Sequence, residues 1–282
     1  AMDCAEFITL IETYAPLGAA APWDNSGIQV ESGKDAVHNV CVALDPTPAT
    51  VSAALELKAD FLLCHHPLLL TPRFLNTRDQ YFHIVRKLMH ADCRLYSAHT
   101  SLDANPRGPA SWLAQALRLN NCRTLEPLPD APPDSPPASS STVAGAYHAP
   151  AGYGFGFVGD LPRAVVLNEF LAQLEKRLLP HGPRQGWRLC GQPGREIRSV
   201  AYCPGSGASL AGLAAASGAD IYITGDVKYH AALEAPLAIL DVGHFCLEER
   251  MMQELALILA QAAPNVNIRF LPADNPFRQV AI

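Results

Sequence analysis

Three short stretches of the chain carry side chains of the kind that hold divalent metal ions. His65 and His66 stand side by side in Cys64-His65-His66-Pro67. His99 and Asp103 follow in Ser97-Ala98-His99-Thr100-Ser101-Leu102-Asp103, and His244 and Glu248 in His244-Phe245-Cys246-Leu247-Glu248. Imidazole with carboxylate suits Zn²⁺, Fe²⁺, Mn²⁺, Co²⁺ or Ni²⁺ and does not choose among them. Neighbouring strand residues point to opposite sides, so His65 and His66, at a strand end, are expected to serve two adjacent ions, one each. His244 and Glu248 are spaced to share one face of a helix. A carboxylate can bridge two ions where a neutral imidazole binds one. Glu248 is thus the expected bridge, with Asp103 and His66 completing one ion and His65 and His244 the other. Two cations about 3.5–4 Å apart share a water, acidify it to a bridging hydroxide, and clamp the oxygens of a reacting group.

Such a constellation needs elements to position it, and the hydrophobic pattern supplies them. Phe7, Ile8, Ile11 and Tyr14 recur at helical spacing, with Asp3 as N-cap and Glu6 three residues on. Asn39–Leu44 reads as a buried strand, and Thr47-Pro48 opens a helix to about Lys58. Phe61–Cys64 is a second buried strand that runs into His65. A helix over 80–91 and a strand at 93–98 lead to His99. Strands alternating with helices imply βαβ units, so the expected fold class is α/β with mostly parallel sheets. In such sheets sites gather outside the carboxyl ends of the strands, where all three metal-ligand stretches are expected.

The alternation breaks at 127–140, a Pro-rich stretch read as a linker. Beyond it, Gly152–Phe157 alternates glycine with aromatic residues, as a strand or hairpin would. A helix over 163–178, a strand at 197–203, a helix near 208–217 and a strand at 220–224 restore the pattern. A strand at 237–242, a helix over 246–261 and a strand at 266–271 close it. The expected division is two interlinked α/β domains, 1–124 with 237–282 and 125–236, with the metal site in the crevice between them.

Composition removes other classes. The 282 residues carry 21 Lys+Arg against 27 Asp+Glu, a net charge of −6, which argues against a nucleic-acid partner. No apolar run is long enough for a membrane span, and the Ala-Met-Asp-Cys-Ala-Glu start does not read as a secretory leader. The eight cysteines include no C-x-x-C pair and read as reduced thiols of a cytoplasmic protein. A G-x-S-x-G elbow is missing, which disfavours serine-hydrolase chemistry.

At these residues the sequence resembles the NIF-three-like dinuclear metal-centre proteins, also labelled GTP cyclohydrolase I type-two homologues. The stretches that carry the resemblance are Trp23–Val30, Cys64–Leu68, Ala98–Ala104, Ile223–His230 and Asp241–Glu248, which together span nearly the whole chain. The resemblance implies metal ligands at His65, His66, Asp103, His244 and Glu248, with His99 in the first or second coordination layer. It also implies two divalent ions per chain and a homo-oligomer, a toroidal hexamer built as a trimer of dimers. One departure is Gly108-Pro109-Ala110-Ser111, which stands where the family has Gly and an Asn-Asp-type pair.

Further candidates line up on the same side. Thr224, Asp226, Lys228 and His230 end a strand and are candidate substrate contacts. The loop through Gly205 and Gly207 follows a strand and opens a helix, as phosphate-facing loops do, but lacks the Lys of a Walker A loop. Trp23-Asp24-Asn25 reads either as a site wall or as a tertiary anchor, and Asp45 and Asp60 as caps or solvated strand ends. The function expected is a metal-dependent hydrolase acting on a phosphoester, amide or purine-type substrate, with GTP ring opening as one version implied by the family label. The alternative is a non-catalytic metal-binding regulator or scaffold.

Overall fold

The computed structural model describes residues 1–129, 148–150, 152–179 and 186–280. Most of the Pro-rich stretch 127–140 therefore lies outside the described residues. In chain order the first elements are β1 (Met2–Asp3), α1 (Cys4–Tyr14), β2 (Gly27–Val30), β3 (Ala36–Val37), β4 (Asn39–Ala43) and α2 (Pro48–Glu56). Then come β5 (Phe61–Cys64), α3 (Gln80–His90), β6 (Arg94–Ser97), α4 (Thr100–Asp103), α5 (Trp112–Ala116), β7 (Asn120–Leu128) and β8 (Tyr153–Val165). The chain continues through α6 (Leu167–Leu178), β9 (Arg188–Cys190), β10 (Ile197–Tyr202), α7 (Ala211–Ala216) and β11 (Ile221–Thr224). It closes with α8 (Tyr229–Leu233), β12 (Ala238–Asp241), α9 (Phe245–Ala262) and β13 (Asn267–Phe270). The chain divides into two compact units, Ala1–Leu102 with Met251–Ala273, and Asp103–Arg250 with Asp274–Ile282.

The first unit holds a five-stranded sheet in the order β13-β4-β5-β6-β2. Its four neighbouring strands from β13 to β6 pair in parallel, and β2 joins the edge antiparallel. Local signals explain the helices between them. Asp3 Oδ1 accepts from the amides of Ala5 and Glu6 at 2.9 and 3.2 Å and so caps α1. Thr47 Oγ1 accepts from Thr50 N at 3.1 Å, and Pro48 occupies the first helical turn of α2, where its missing N–H costs nothing. One face of the sheet, with Cys41, Leu62, Cys64 and Leu95, packs with Val51 and Ala54 of α2 and Ile84, Val85 and Leu88 of α3. On the other face Phe7 of α1 meets Phe61 edge-on at 5.2 Å, and Phe61 stacks with Tyr96 at 6.1 Å. Coverage on both faces is why β4 and β5 read as unbroken apolar runs rather than alternating ones.

The second unit holds a six-stranded sheet in the order β7-β8-β10-β11-β12-β9. This sheet departs from the mostly parallel expectation. Only β10–β11 and β11–β12 are parallel; β7–β8, β8–β10 and β12–β9 are antiparallel. The long β7–β8 pairing is responsible, since it brings the chain back beside itself without a crossover helix. The helix expected from 163 begins at Leu167, because β8 continues to Val165, opposite Ile197. The register of β8 against β10 shifts between Asp160 and Val165, and this irregularity accommodates Pro162, which has no N–H to give the ladder. The strand expected at 237–242 forms as β12 in this sheet. Its core joins Val158, Ala201, Tyr222 and Ile239 to Leu210, Ala211 and Ala214.

A candidate metal centre

In the first unit the register sets Ala43, Cys64 and Ser97 level across three parallel strands. The residues just beyond them, Asp45, His65, His66 and His99, therefore emerge from one end of the sheet, its carboxyl end. His65 N donates to the carbonyls of Ala43 and Leu44 at 3.3 and 3.1 Å, and His66 N to Leu44 O at 3.1 Å. These bonds fix the backbone on which the paired imidazoles sit. His65, His66 and His99 each bring a ligand nitrogen within 4.8 Å of the other two.

Each ring is also held from behind. His65 Nδ1 lies 2.7 Å from Ala98 O, His66 Nδ1 2.7 Å from Asp45 Oδ1, and His99 Nδ1 2.7 Å from Asp24 Oδ1. A carbonyl and a carboxylate only accept, so each Nδ1 carries the hydrogen and each Nε2 keeps its lone pair. Asp45, expected to be a cap or solvated strand end, lies half-exposed just past β4 and is also the partner of His66. Asp60 does serve the strand ends, accepting from Lys34 Nζ at 2.9 Å and from His38 N and Asn39 N at 2.9 and 3.1 Å.

Asp24 resolves the open reading of Trp23-Asp24-Asn25 toward an anchor. Its carboxylate accepts from His99 Nδ1, from Ser26 Oγ at 2.7 Å, and from the amide and hydroxyl of Thr100. Burial pushes this carboxyl upward, but the hydrogen bonds from His99, Ser26 and Thr100 outweigh it and hold Asp24 well below the usual carboxylate range. Trp23 lies edge-on to His99 at 5.8 Å and remains largely exposed.

The second unit presents His244 and Glu248 at the start of α9. His244 Nδ1 is 2.7 Å from Asp226 Oδ2, and Nε2 is 2.9 Å from Glu248 Oε2. With the Nδ1 hydrogen turned to Asp226, the Nε2 lone pair faces the buried Glu248 carboxylate, a pairing that a shared proton or a cation between them would relieve. The loop after β10 is shaped around the pair. Gly205 has φ +68°, and a Cβ there would lie 2.4 Å from Glu248 Oε1 and 3.4 Å from His244 Nε2. Asp103 stands at the end of α4. Burial first, then the negative charges of Asp103 and Glu248, push the Cys203 thiol far up.

The remaining sequence candidates separate. Thr224 is fully buried, and its Oγ1 accepts from Gly207 N at 2.9 Å, so it ties the Gly205–Gly207 loop to β11. That bond occupies the Gly207 amide, and a single 3-10 turn, Ala208–Leu210, leads from the loop into α7. Asp226 holds His244, while Lys228 and His230 lie exposed at the start of α8. Beside the His66–Asp45 pair in the first unit, a cavity of about 380 Å³ is lined by Asp45, Leu68, Leu69, Arg73 and Tyr81, with the Arg73 guanidinium 4.8 Å above the Tyr81 ring.

The pattern of histidines at strand ends with His244 and Glu248 at the start of α9 agrees with a match over residues 2–276 to the family described as Duf34/NIF3 (NGG1p interacting factor 3). The chain belongs to that family. A Streptomyces coelicolor relative, "GTP cyclohydrolase 1 type 2 homolog", is 33% identical over 249 residues, covering 86% of this chain and 81% of its own length. Among solved structures, a Staphylococcus aureus hypothetical protein is similar with a TM-score of 0.82 at 26% identity, covering 99% of each chain. A Bacillus cereus protein related to NIF3 gives a TM-score of 0.83 at 24% identity, again over 99% of each, and shares the fold. The α/β architecture with several sheets is thus that of Duf34/NIF3 proteins. All eight cysteines are free, and among the described residues no helix is long and apolar enough to cross a membrane.

Proposed function

We propose that this Duf34/NIF3 protein holds two divalent ions through His65, His66, Asp103, His244 and Glu248, with His99 beside them, and uses them for hydrolysis. The observation that supports this is the set of four imidazoles whose Nδ1 atoms each meet an oxygen at 2.7 Å. Rings fixed in this tautomer turn their other nitrogen outward as a ligand. The donors fit a divalent transition ion: imidazole nitrogens with carboxylates, and a close His244–Glu248 pair that a cation between them would relieve. When bound, the ions supply an acidified water and a positive clamp for a reacting oxygen.

The residues of the chain supply the rest. Gly205, which has no side chain, leaves the Glu248 carboxylate its space. The cavity walled by Leu68, Leu69, Arg73 and Tyr81 takes the part of the substrate away from the reacting bond. We assign the substrate to the phosphoesters, amides or purine-type rings, GTP among them because the curated relative carries that name. The protein works as a homo-oligomer, in our reading a toroidal hexamer, in a reducing cytoplasm. The deciding experiment loads purified protein with Zn²⁺, Mn²⁺ or Fe²⁺, measures ions per chain, and screens nucleotides, phosphoesters and peptides beside a Glu248→Ala control. About two ions with turnover lost in the control is the expected result. Near-zero metal content overturns the proposal, and two ions without turnover transfers it to the regulatory or scaffold reading.

A further inference from the structure

Asp226, a candidate substrate contact, and Asp45, read as a cap or solvated strand end, each set a carboxylate on the back of a histidine ring. We propose that Asp45 and Asp226 are positioning residues that preset His66 and His244 for a divalent ion, an inference that rests on the function proposed above. Three observations support it. The contacts are equal and short, Asp45 Oδ1 to His66 Nδ1 and Asp226 Oδ2 to His244 Nδ1, both 2.7 Å. Both carboxylates are about half exposed, with side-chain exposures of 44% and 47%, so neither is a packing element of the core.

The third observation is backbone conformation. Asp226 has φ +55°, a left-handed conformation that non-glycine residues seldom adopt. It follows Gly225, where a Cβ would lie 2.5 Å from the carbonyl carbon of Gly243. The turn after β11 is thus pressed against the segment that leads into His244, and the uncommon conformation sets the Asp226 carboxylate on the ring.

The chemistry follows from the tether. An imidazole free to turn or change tautomer presents its lone pair in the right direction only part of the time. A carboxylate on Nδ1–H fixes both ring orientation and tautomer and makes Nε2 a stronger donor. Asp24 makes the same contact with His99, but it is enclosed and also holds Ser26 and Thr100, so its loss would disturb folding as well.

The test uses the full chain with Zn²⁺ as probe and a competing chelator. Affinity and the melting temperature of the metal-free protein are measured for the parent, Asp45→Ala, Asp226→Ala and the corresponding Asn variants. Glu56→Ala, at an exposed helix end, controls for loss of a surface charge. We expect zinc affinity to fall about 10–100-fold in each Ala variant, with part of the loss recovered by Asn, which can still accept from Nδ1–H. The metal-free melting temperatures should stay at the parent value. If the parent binds zinc and the variants bind as tightly, positioning is overturned and the metal-centre reading stands. If the metal-free variants melt early in proportion to their lost affinity, the carboxylates are structural and the proposal fails. A parent that takes up no zinc overturns both.

Discussion

Glu248 and His65 differ in what their removal should do. In the proposed centre Glu248 would be an anionic ligand to both ions, and its removal would leave two cations with little to offset their repulsion. An imidazole serves one ion. Glu248→Ala should therefore lose both ions together under weak chelator competition, whereas His65→Ala should retain roughly one per chain, as read by elemental analysis. Asp24 gives a different kind of expectation. Its carboxyl is held below the unfolded value of about 3.9, so its contribution to stability is present above that pH and is lost as pH falls toward the folded pKa. Asp24→Asn should thus be less stable than the parent near neutrality, with the gap narrowing in denaturant titrations carried from pH 5 to 2. The gathering of His65, His66 and His99 was legible in the sequence because each follows an apolar run that forms a strand of one parallel sheet. The tethering role of Asp24, Asp45 and Asp226 was not, because each lies 18–75 residues from the ring it holds. Asp45 had the nearest thing to a signal, since it follows β4 as His66 follows β5.

Between elements, two glycines should respond in opposite ways to the same added methyl group. At Gly205 the new Cβ meets the far end of the Glu248 side chain, which can move aside. Gly205→Ala should fold, with a loss of about 1–2 kcal/mol for a left-handed alanine, while its zinc affinity falls because the carboxylate is displaced. At Gly225 the Cβ meets the Gly243 carbonyl and His244 N at 2.5–2.7 Å, and backbone cannot yield in the same way. Gly225→Ala should fail to accumulate as folded protein, as judged by soluble yield and circular dichroism. The elements themselves were readable where local chemistry and tertiary demand agree. Thr47-Pro48 marked the start of α2, and Phe61–Cys64 marked β5 to the residue. Where they diverge, reading failed. Asn120–Leu128 has no apolar alternation and contains a proline, and only its partner β8 makes it a strand. Likewise Arg163–Val165 looks like the opening of an amphipathic helix but is retained in β8 by pairing with β10.

At the scale of the molecule, ions that bind only the folded chain should stabilise it by mass action. Free zinc at about one hundred times its Kd is worth about 2.7 kcal/mol, so metal loading should raise the melting temperature and a chelator should reverse the rise. The shift should vanish in Glu248→Ala if the site is the source. The proposed hexamer of a 30.3 kDa chain predicts about 180 kDa by light scattering on the eluting protein. A mass near 30 kDa would refute the assembly while leaving the single-chain metal chemistry intact.

The order of strands in the first unit also matters while the protein is being made. β4 lies between β5 and β13, so one whole side of this apolar strand waits for residues 267–270. All six strands of the other sheet, the last ending at Asp241, leave the ribosome before β13 does. A nascent chain at that stage carries one sheet with its full set of strands and another with the amides and carbonyls of Asn39–Ala43 unmatched along an edge. Such an edge accepts any passing strand. Slow translation of the last stretch, or a stop codon before Asn267, should therefore send the polypeptide toward aggregates or holdase chaperones although most of its sequence is already present.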